Sequence, residues 1–540
     1  MQSVMKHNFS HLTKTSVNRS KFNRSHGWKG TFNAGELIPI FVDEILPGDT
    51  FKLKTSAFGR LNTPIFPLMD NMYLDTHYFF VPTRLVWDNF QKFMGEQDNP
   101  GDSTDFLIPQ ITAAPGTPYA ENSLPDYFGI PTGVNDLEVN SLPFRAYYRI
   151  WNEWFRDENL QESNDLGLEK GDGPDLSTLP PSRRGKRFDY FTSCLPWPQK
   201  FQSIDLPLGG TAPVVGIGTP TFSATNGEFT DDLFGSRQPS GLSGENMFAP
   251  QTQGTGTQAW KEVEWGTDTA LEADLGNATA ATINQLRQAF TLQQYFERDA
   301  RGGTRYTEKI LSHFGVHSPD QRLQRPEFLG GGSTPINITP IANTADIASV
   351  GGNGTVGELG AMGTVSVRNH GFTKSFVEHG YVIGLASVRA DLTYQQGLNK
   401  MWSREDELDF YWPSFAKIGE QAVLNKEIYT QEDTVLDPDT QEPINESVFG
   451  YQERYAEYRY KPSTITGRFR SNSTLPLDQW HLSQDFETLP VLGATFIQEQ
   501  PPIDRVVAVP SEPDFIMDVF HDLQCARPMP LNGIPGLTRM

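Results

Sequence analysis

From residue 36 onward the chain alternates short apolar runs with turn residues, and this pattern predicts strands first. ELIPIFVDEILPGDTFKLKTSAF holds apolar runs broken by Pro47-Gly48-Asp49, a turn signal that points to a tight reversal. NMYLDTHYFFVP, residues 71–82, is rich in aromatics and ends at Pro82. From Thr76 to Val81 it is apolar on both faces apart from His77, which predicts a strand buried between two layers. Residues 379–394 read as a long strand and VVAV, residues 506–509, as a short one. In residues 514–528 the side chains of Phe515, Met517, Val519, Leu523 and Cys525 alternate onto one face. His521 interrupts that face and reads as a hydrogen-bonded core histidine.

Helical spacing is local. Thr83 is placed to cap a helix carrying Val86, Phe90 and Phe93. Ser141 is placed to cap a second, with Pro143 in its first turn and Tyr147, Ile150, Trp151, Trp154 and Phe155 as a packing stripe. Residues 279–300 carry Ile283, Leu286, Phe290 and Phe296 on one face, and a shorter helix follows Gly302-Gly303. Residues 96–140 and 330–363 read as Pro- or Gly-rich connections. Many strands, few helices and long connections favour a β-sandwich or jelly roll over alternating β-α-β units.

Composition changes the picture in three places. At 540 residues the length alone suggests three or four domains, or fewer if the chain is all-β. Aromatics make up 12% of the chain, enough for a large core. No stretch approaches ~18 consecutive apolar residues, so no membrane-crossing helix is expected. The start, MQSVMKHNFSHLTKTSVNRS, lacks the apolar region of a secretory signal. Two cysteines, Cys194 and Cys525, build neither a disulfide framework nor a Cys-rich metal site, which fits a reducing compartment.

The net charge of −22 is unevenly placed. Residues 1–35 hold Lys6, Lys14, Arg19, Lys21, Arg24 and Lys29 with no acid, which leaves −28 on the rest. A basic arm that also carries Phe22 and Trp28 combines charge neutralisation with stacking, the two ingredients of single-stranded nucleic acid binding. A second cluster, Arg183, Arg184, Lys186 and Arg187, runs into Phe188, Tyr190 and Phe191. Residues 201–276 are the opposite in character: Gly- and Thr-rich and net −8, with Arg237 and Lys261 their only cations. A loop this long inside a domain is usually functional. It reads as an exposed excursion presenting Asp231, Asp232, Phe234, Arg237, Glu245, Trp260 and Trp265.

Signals for chemistry are weak. Gly352 to Gly357 matches G-x-G-x-x-G, but a loop and strand follow where the dinucleotide fingerprint needs a helix. His313 and His317 are four apart, but Gly315 breaks the helix between them and no H-E-x-x-H is present. No G-x-S-x-G elbow exists. No catalytic residue, metal or cofactor is expected. The rival reading is a carbohydrate-binding or carbohydrate-active β-sandwich, which keeps the acidic body but leaves the basic arm without a role.

The segment HGWKGTFNAGELIPIFVDEILPGDTFKLKTSAFGRLNTPIFPLMDNMYLDTHYFFVPTRLVWDNFQKFMGEQ, residues 26–97, closely resembles the major capsid proteins of microviruses, best in their gokushovirus branch. YTEKILSHFGVHSPDQRLQRPEFLGG, residues 306–331, and the ending ARPMPLNGIPGLTRM resemble them equally. The resemblance covers most of the chain outside 201–276 and parts of 96–140. It implies a non-enzymatic structural protein: a single eight-stranded antiparallel jelly roll with large loop insertions, sixty copies of which form a T=1 icosahedral shell around a circular single-stranded DNA genome. It implies as partners a small basic DNA-binding virion protein, a pilot or spike-type minor virion protein and a host receptor, and as location a virion assembled in the bacterial cytoplasm. On this reading residues 1–35 are the arm, 36–200 and 277–540 the two parts of the jelly roll with its extended tail, and 201–276 the insertion that forms a three-fold protrusion.

Overall fold

The computed structural model describes residues 18–113, 115–175, 179–201, 204, 283–344, 357, 359–438 and 440–532, together with the backbone of five short strands between residues 214 and 273. Contacts divide the chain into two units, one of Met1–Lys200 with Glu297–Met540 and one of Phe201–Phe296.

In the larger unit, two antiparallel sheets are built from strands β1 (Ser20–Asn23), β2 (His26–Phe32), β3 (Ile38–Ile45), β4 (Thr50–Leu61), β5 (Met72–Pro82), β6 (Glu327–Pro335), β7 (Asn337–Ala342), β8 (Leu359–Ser375), β9 (Gly380–Ala390) and β10 (Phe515–Arg527). The six-stranded sheet runs β1-β10-β4-β8-β7, with β2 also paired to β10, and the four-stranded sheet runs β6-β5-β9-β3. The Pro47-Gly48-Asp49 reversal joins β3 to β4. There the Leu46 N–H donates to Asp49 Oδ2 at 3.0 Å, and the Asp49 N–H donates back to the Leu46 carbonyl at 3.0 Å.

Side-chain alternation decides which way each sheet faces. In β4 the residues Phe51, Leu53, Thr55, Ala57 and Leu61 are buried, while Lys52, Lys54, Ser56, Phe58 and Arg60 are exposed. β10 alternates in the same way, with Phe515, Met517, Val519, His521, Leu523 and Cys525 inward. These inward residues meet Ile38, Ile40, Phe41, Leu74, Tyr78, Phe80, Val382 and Val388 of the four-stranded sheet, so the main core lies between the sheets. The opposite face of the four-stranded sheet carries Phe79, Val81, Ile383 and Leu385, and packs against helix α1 (Leu142–Ile150) through Phe144, Tyr147, Tyr148 and Ile150. Covered on both faces, β9 is buried almost throughout, as its nearly continuous apolar sequence requires.

Several local expectations change. The helix from Thr83 reduces to a 3-10 turn at Thr83–Leu85 and one helical turn at Phe90–Phe93, because the Asp88 N–H donates across to the Lys170 carbonyl at 3.0 Å and leaves the helical ladder. α1 forms where expected and continues as a wider turn over Trp151–Phe155. Ser141 does not cap it; Asn140 Oδ1 accepts from the Leu142 N–H at 2.9 Å instead. Residues 506–509 are not a strand, because the N–H groups of Val506 and Val507 return to the Ile503 carbonyl within a tight turn. The connection expected over 330–363 holds most of β6, all of β7 and the start of β8.

In the smaller unit, Val214–Gly216 pairs with Leu271–Ala273, and Phe222–Ala224 pairs with both Gly227–Glu228 and Val263–Trp265. Helix α2 spans Ile283–Gly302.

Candidate nucleic-acid and docking surfaces

The basic arm is sheet, not tail, from Ser20 onward. β1 and β2 pair in succession along one edge of β10, from Ser20 opposite Arg527 to Phe32 opposite Phe515. Arg19 donates to Thr50 Oγ1 at 2.5 Å and to the Ala526 carbonyl at 3.2 Å. Lys21 is exposed, Arg24 forms an ion pair with Asp43, and Lys29 lies 3.7 Å from Asp518 with both side chains in solvent. Trp28 is partly buried, packed against the main core. Lys6 and Lys14 lie outside the described residues.

The second basic cluster is no solvent-facing strip. The Leu37 N–H donates to the Ser182 carbonyl, the Arg184 N–H to the Gly35 carbonyl, and the Glu499 N–H to the Arg184 carbonyl, so the segment is strung between residues 35–37 and 497–499. Each cation is answered inside the chain. Arg183 reaches Glu36 at 3.5 Å, and Arg184 reaches Asp75 at 2.8 Å and Ser387 Oγ at 3.2 Å. The Lys186 ammonium sits over the Phe496 ring and donates to Gln484, while Arg187 pairs with Asp391 over the Tyr73 ring. Lys186 is buried and Arg184 nearly so, a placement that braces the fold.

The electrostatics follow from this burial. Burial pulls Asp75 upward, but the Ser333 hydroxyl with Arg184 and Arg389 outweighs it and holds the carboxyl below its usual range. Burial, helped by Arg184, pushes His77 down to about 4. Burial raises Glu499 to about 7 despite Lys186, Arg389 and Arg184 nearby. The sequence pattern Arg-Arg-Gly-Lys-Arg carried no sign of these partners, because all of them are distant along the chain.

His521 is the core histidine expected. It is fully buried, with Nδ1 on Thr55 Oγ1 and Nε2 on the Ile40 carbonyl, each at 2.9 Å. His313 Nε2 lies 2.7 Å from Asp299 Oδ1, and Lys309 lies 2.9 Å from Asp299 Oδ2. Among the described residues no group of three metal-ligating side chains converges. Of the Gly352–Gly357 motif only Gly357 is described. A cleft of about 360 Å³ is lined by Tyr190, Tyr394, Trp402, Glu427 and Glu457. There the Tyr190 hydroxyl donates to Glu427 Oε2 at 2.8 Å and the Leu424 N–H to Oε1 at 3.0 Å, so that carboxylate is already satisfied from within.

Of the residues expected on the exposed excursion, Trp265 falls on the strand Val263–Trp265, opposite Phe222. Asp231, Asp232, Phe234, Arg237, Glu245 and Trp260 lie outside the described residues.

One surface was overlooked in the sequence. The outer face of the six-stranded sheet carries Lys52, Lys54, Phe58 and Arg60 of β4, Ile516, Asp518, Phe520 and Asp522 of β10, and Arg368 of β8. The alternation in FKLKTSAFGRL was the available signal, since a strand that buries Phe51 and Leu53 must expose Lys52 and Lys54.

Comparison with known proteins now bears on identity. Residues 10–537 match the model of the family described as Capsid protein (F protein). The chain is 46% identical to Capsid protein VP1 of Bdellovibrio phage phiMH2K over 547 residues, covering 98% of this chain and 97% of that one. It is 45% identical to Capsid protein VP1 of Chlamydia phage 1, covering 100% and 99%, and 36% identical to Capsid protein VP1 of Spiroplasma virus 4, covering 99% and 98%. The microvirus resemblance carried by residues 26–97 and 306–331 thus holds along the whole length, and the chain belongs to the phage capsid protein (F protein) family as a structural, non-enzymatic major capsid subunit of the virion.

Proposed function

We propose that this subunit is an eight-stranded jelly roll and that sixty copies close a T=1 icosahedral shell around a circular single-stranded DNA genome. Strand order supports the fold. Taking β2, β3, β4, β5, β6, β8, β9 and β10 as strands one to eight, the sheets run 1-8-3-6 and 2-7-4-5, the interleaving of two Greek keys. β1 extends strand one along the same edge, and β7 is an added edge strand.

The observation that carries the shell reading is a run of uncovered apolar side chains. Met401, Trp402, Leu408, Phe410, Tyr411 and Ile418 are each at least half exposed in the single chain, and Tyr306 and Phe314 are more than 70% exposed. A monomeric protein rarely leaves such surface bare, and neighbouring copies of the subunit would cover it. Negative-stain microscopy of the purified full-length chain tests this: closed shells of about sixty copies support it, and dispersed monomers favour the carbohydrate-binding β-sandwich instead.

In such a shell the arm, with Lys6, Lys14, Arg19, Lys21 and Lys29, supplies interior phosphate contacts. A small basic virion protein adds neutralising charge, and a pilot or spike-type minor protein completes the particle in the bacterial cytoplasm. The acidic, Gly- and Thr-rich composition of residues 201–276 suits an outward protrusion that meets the host receptor. Deleting that segment should leave shells that assemble and adsorb poorly; failed assembly would make it a subunit contact.

A further inference from the structure

We propose that the open face of the six-stranded sheet is itself a single-stranded DNA-binding wall, on which Lys52, Lys54, Arg60 and Arg368 neutralise phosphates and Phe58 and Phe520 stack bases. The inference deepens the shell reading, on which it rests for the identity of the ligand, and it adds a folded surface to the phosphate contacts proposed for the arm.

Three features of the face point the same way. The first is the state of its cations. Several arginines elsewhere are anchored to carboxylates: Arg84 to Glu378, Arg145 to Asp175, Arg305 to Glu308, Arg389 to Asp75 and Arg404 to Glu457. Lys52, Lys54, Arg60 and Arg368 are exposed and have no ion-pair partner among the described residues, in a chain with 66 acids against 44 bases. With Lys29 the face offers five cations against Asp518 and Asp522. Free positive charge on an acidic protein fits a polyanion, and the same charge would hinder a purely apolar contact.

The second feature is aromatic. Phe58 is 52% and Phe520 54% exposed, beside Ile516 at 61%. Register places Phe58 opposite Asp518 and Ser366, Phe520 opposite Ser56, and Ile516 opposite Arg60. Phe58 is therefore diagonal to both Phe520 and Ile516, at about 7–8 Å between backbones, close enough for one hydrophobic centre but leaving each ring its own free face. Stacking on such rings needs unpaired bases, which a single strand offers and a duplex conceals.

The third feature is spacing. Lys52 and Lys54 are two residues apart on one edge of the apolar centre, Arg60 lies on the other, and the flanking Lys29 sits across β10. Cations two residues apart along a strand are about 6.5–7 Å apart, comparable with the phosphate step of a stretched single strand. The face thus has an apolar middle for bases and charged margins for the backbone.

The test is fluorescence anisotropy of a labelled oligo-dT with dispersed full-length subunits across a salt series. Lys52→Gln with Lys54→Gln and Arg60→Gln should weaken binding at least about tenfold and reduce the slope of log K against log salt by about two, at ~0.7 per lost contact. Phe58→Leu with Phe520→Leu keeps an apolar surface and removes the aromatic rings; it should weaken binding about fivefold or more and leave the salt slope unchanged. A chain lacking residues 1–17, measured alongside, should keep both effects. Thermal melting establishes that each variant is folded, and a variant that melts early is replaced by its single-site members. Unchanged affinity and slope in the lysine-arginine variant would overturn the proposal. So would equal binding of a duplex by the parent and the leucine variant, or parental DNA binding in a lysine-arginine variant that no longer forms shells, which would make the face a contact between copies. Absence of shells from the parent chain would count against the shell reading alone, because DNA binding is read on dispersed subunits.

Discussion

Arg145 and Asp175 form a two-pronged ion pair in the interior, Nε on Oδ2 and Nη2 on Oδ1, each at 2.7 Å, with neither side chain open to solvent. The remaining nitrogen, Nη1, donates to the carbonyls of Val86 at 3.1 Å and Gly171 at 2.8 Å. One guanidinium therefore ties helix α1 to two loops that would otherwise keep orphaned carbonyls. Removing one partner strands a buried charge, so Arg145→Ala should cost about 3–5 kcal/mol in the urea unfolding of the full chain. Arg145→Met combined with Asp175→Leu should recover much of that loss, because no charge is left unpaired. A single substitution as mild as the double one would show that water reaches the pair.

His521 makes the fold acid-sensitive. Burial pushes its imidazole down to about 4, and the neutral ring is held by Thr55 and by the Ile40 carbonyl. The unfolded chain binds that proton near pH 6.5, so the stabilisation is complete above about 6.5 and is lost as pH falls toward 4. His77, lowered to about 4 by burial and by Arg184, contributes in the same window. Each imidazole should remove on the order of 3 kcal/mol by pH 4. Urea midpoints recorded between pH 7 and 4 should fall steeply, and His521→Gln should flatten that fall. A parental chain with constant midpoints over the range would contradict the assignment.

The strands were legible where one physical demand acts alone. In β10 and β4 one face meets the core and the other meets solvent, and alternation wrote that into Phe515 to Cys525 and Phe51 to Leu61. β5 and β9 are covered on both sides, and their continuous apolar runs announced it. Where a long-range partner decides, the sequence was silent. Arg184 and Lys186 looked like a free basic strip because Asp75, Ser387, Gln484 and Glu499 are brought to them only by folding. Val506 and Val507 have strand-forming side chains, yet their N–H groups are taken by Ile503. The capping of α1 was missed by one residue, since Asn140 reaches the Leu142 N–H and Ser141 is turned into the interior. The open face of β4 was legible in the same alternation, because a strand that buries Phe51 and Leu53 turns Lys52 and Lys54 outward.

Glu499 works in the opposite sense from His521. It is 1% exposed; its Oε1 accepts from the Ala390 N–H at 3.2 Å, while Oε2 is buried without a partner. Burial raises the carboxyl to about 7, above its unfolded value of 4.5. An acid with a raised folded pKa costs nothing below the unfolded value and destabilises increasingly as pH rises to the folded one. Glu499→Gln should therefore stabilise the chain by a few kcal/mol at pH 8, and the gain should vanish near pH 4.5. Urea midpoints at the two values give the comparison, and a gain that grows toward acid pH would reverse the sign of the argument.

Gly35 links the same region to the backbone. It has φ of +79°, its N–H donates to the Val388 carbonyl at 2.9 Å, and its carbonyl accepts from the Arg184 N–H at 2.8 Å. A Cβ here would stand 2.0 Å from the Glu499 carbonyl oxygen, a backbone atom held by the Glu499 N–H bond to the Arg184 carbonyl. Relief therefore requires moving two backbone segments of the brace, not rotating a side chain. Gly95 offers a control, since its φ is +102° and nothing lies within 4 Å of an added Cβ. Gly95→Ala should cost only the left-handed backbone penalty, about 1–2 kcal/mol. Gly35→Ala should cost that and the displacement together, roughly 3 kcal/mol or more. Equal urea midpoints for the two variants would mean that residues 497–499 yield freely, and that the segment 182–187 does not brace the sheet as its hydrogen bonds indicate.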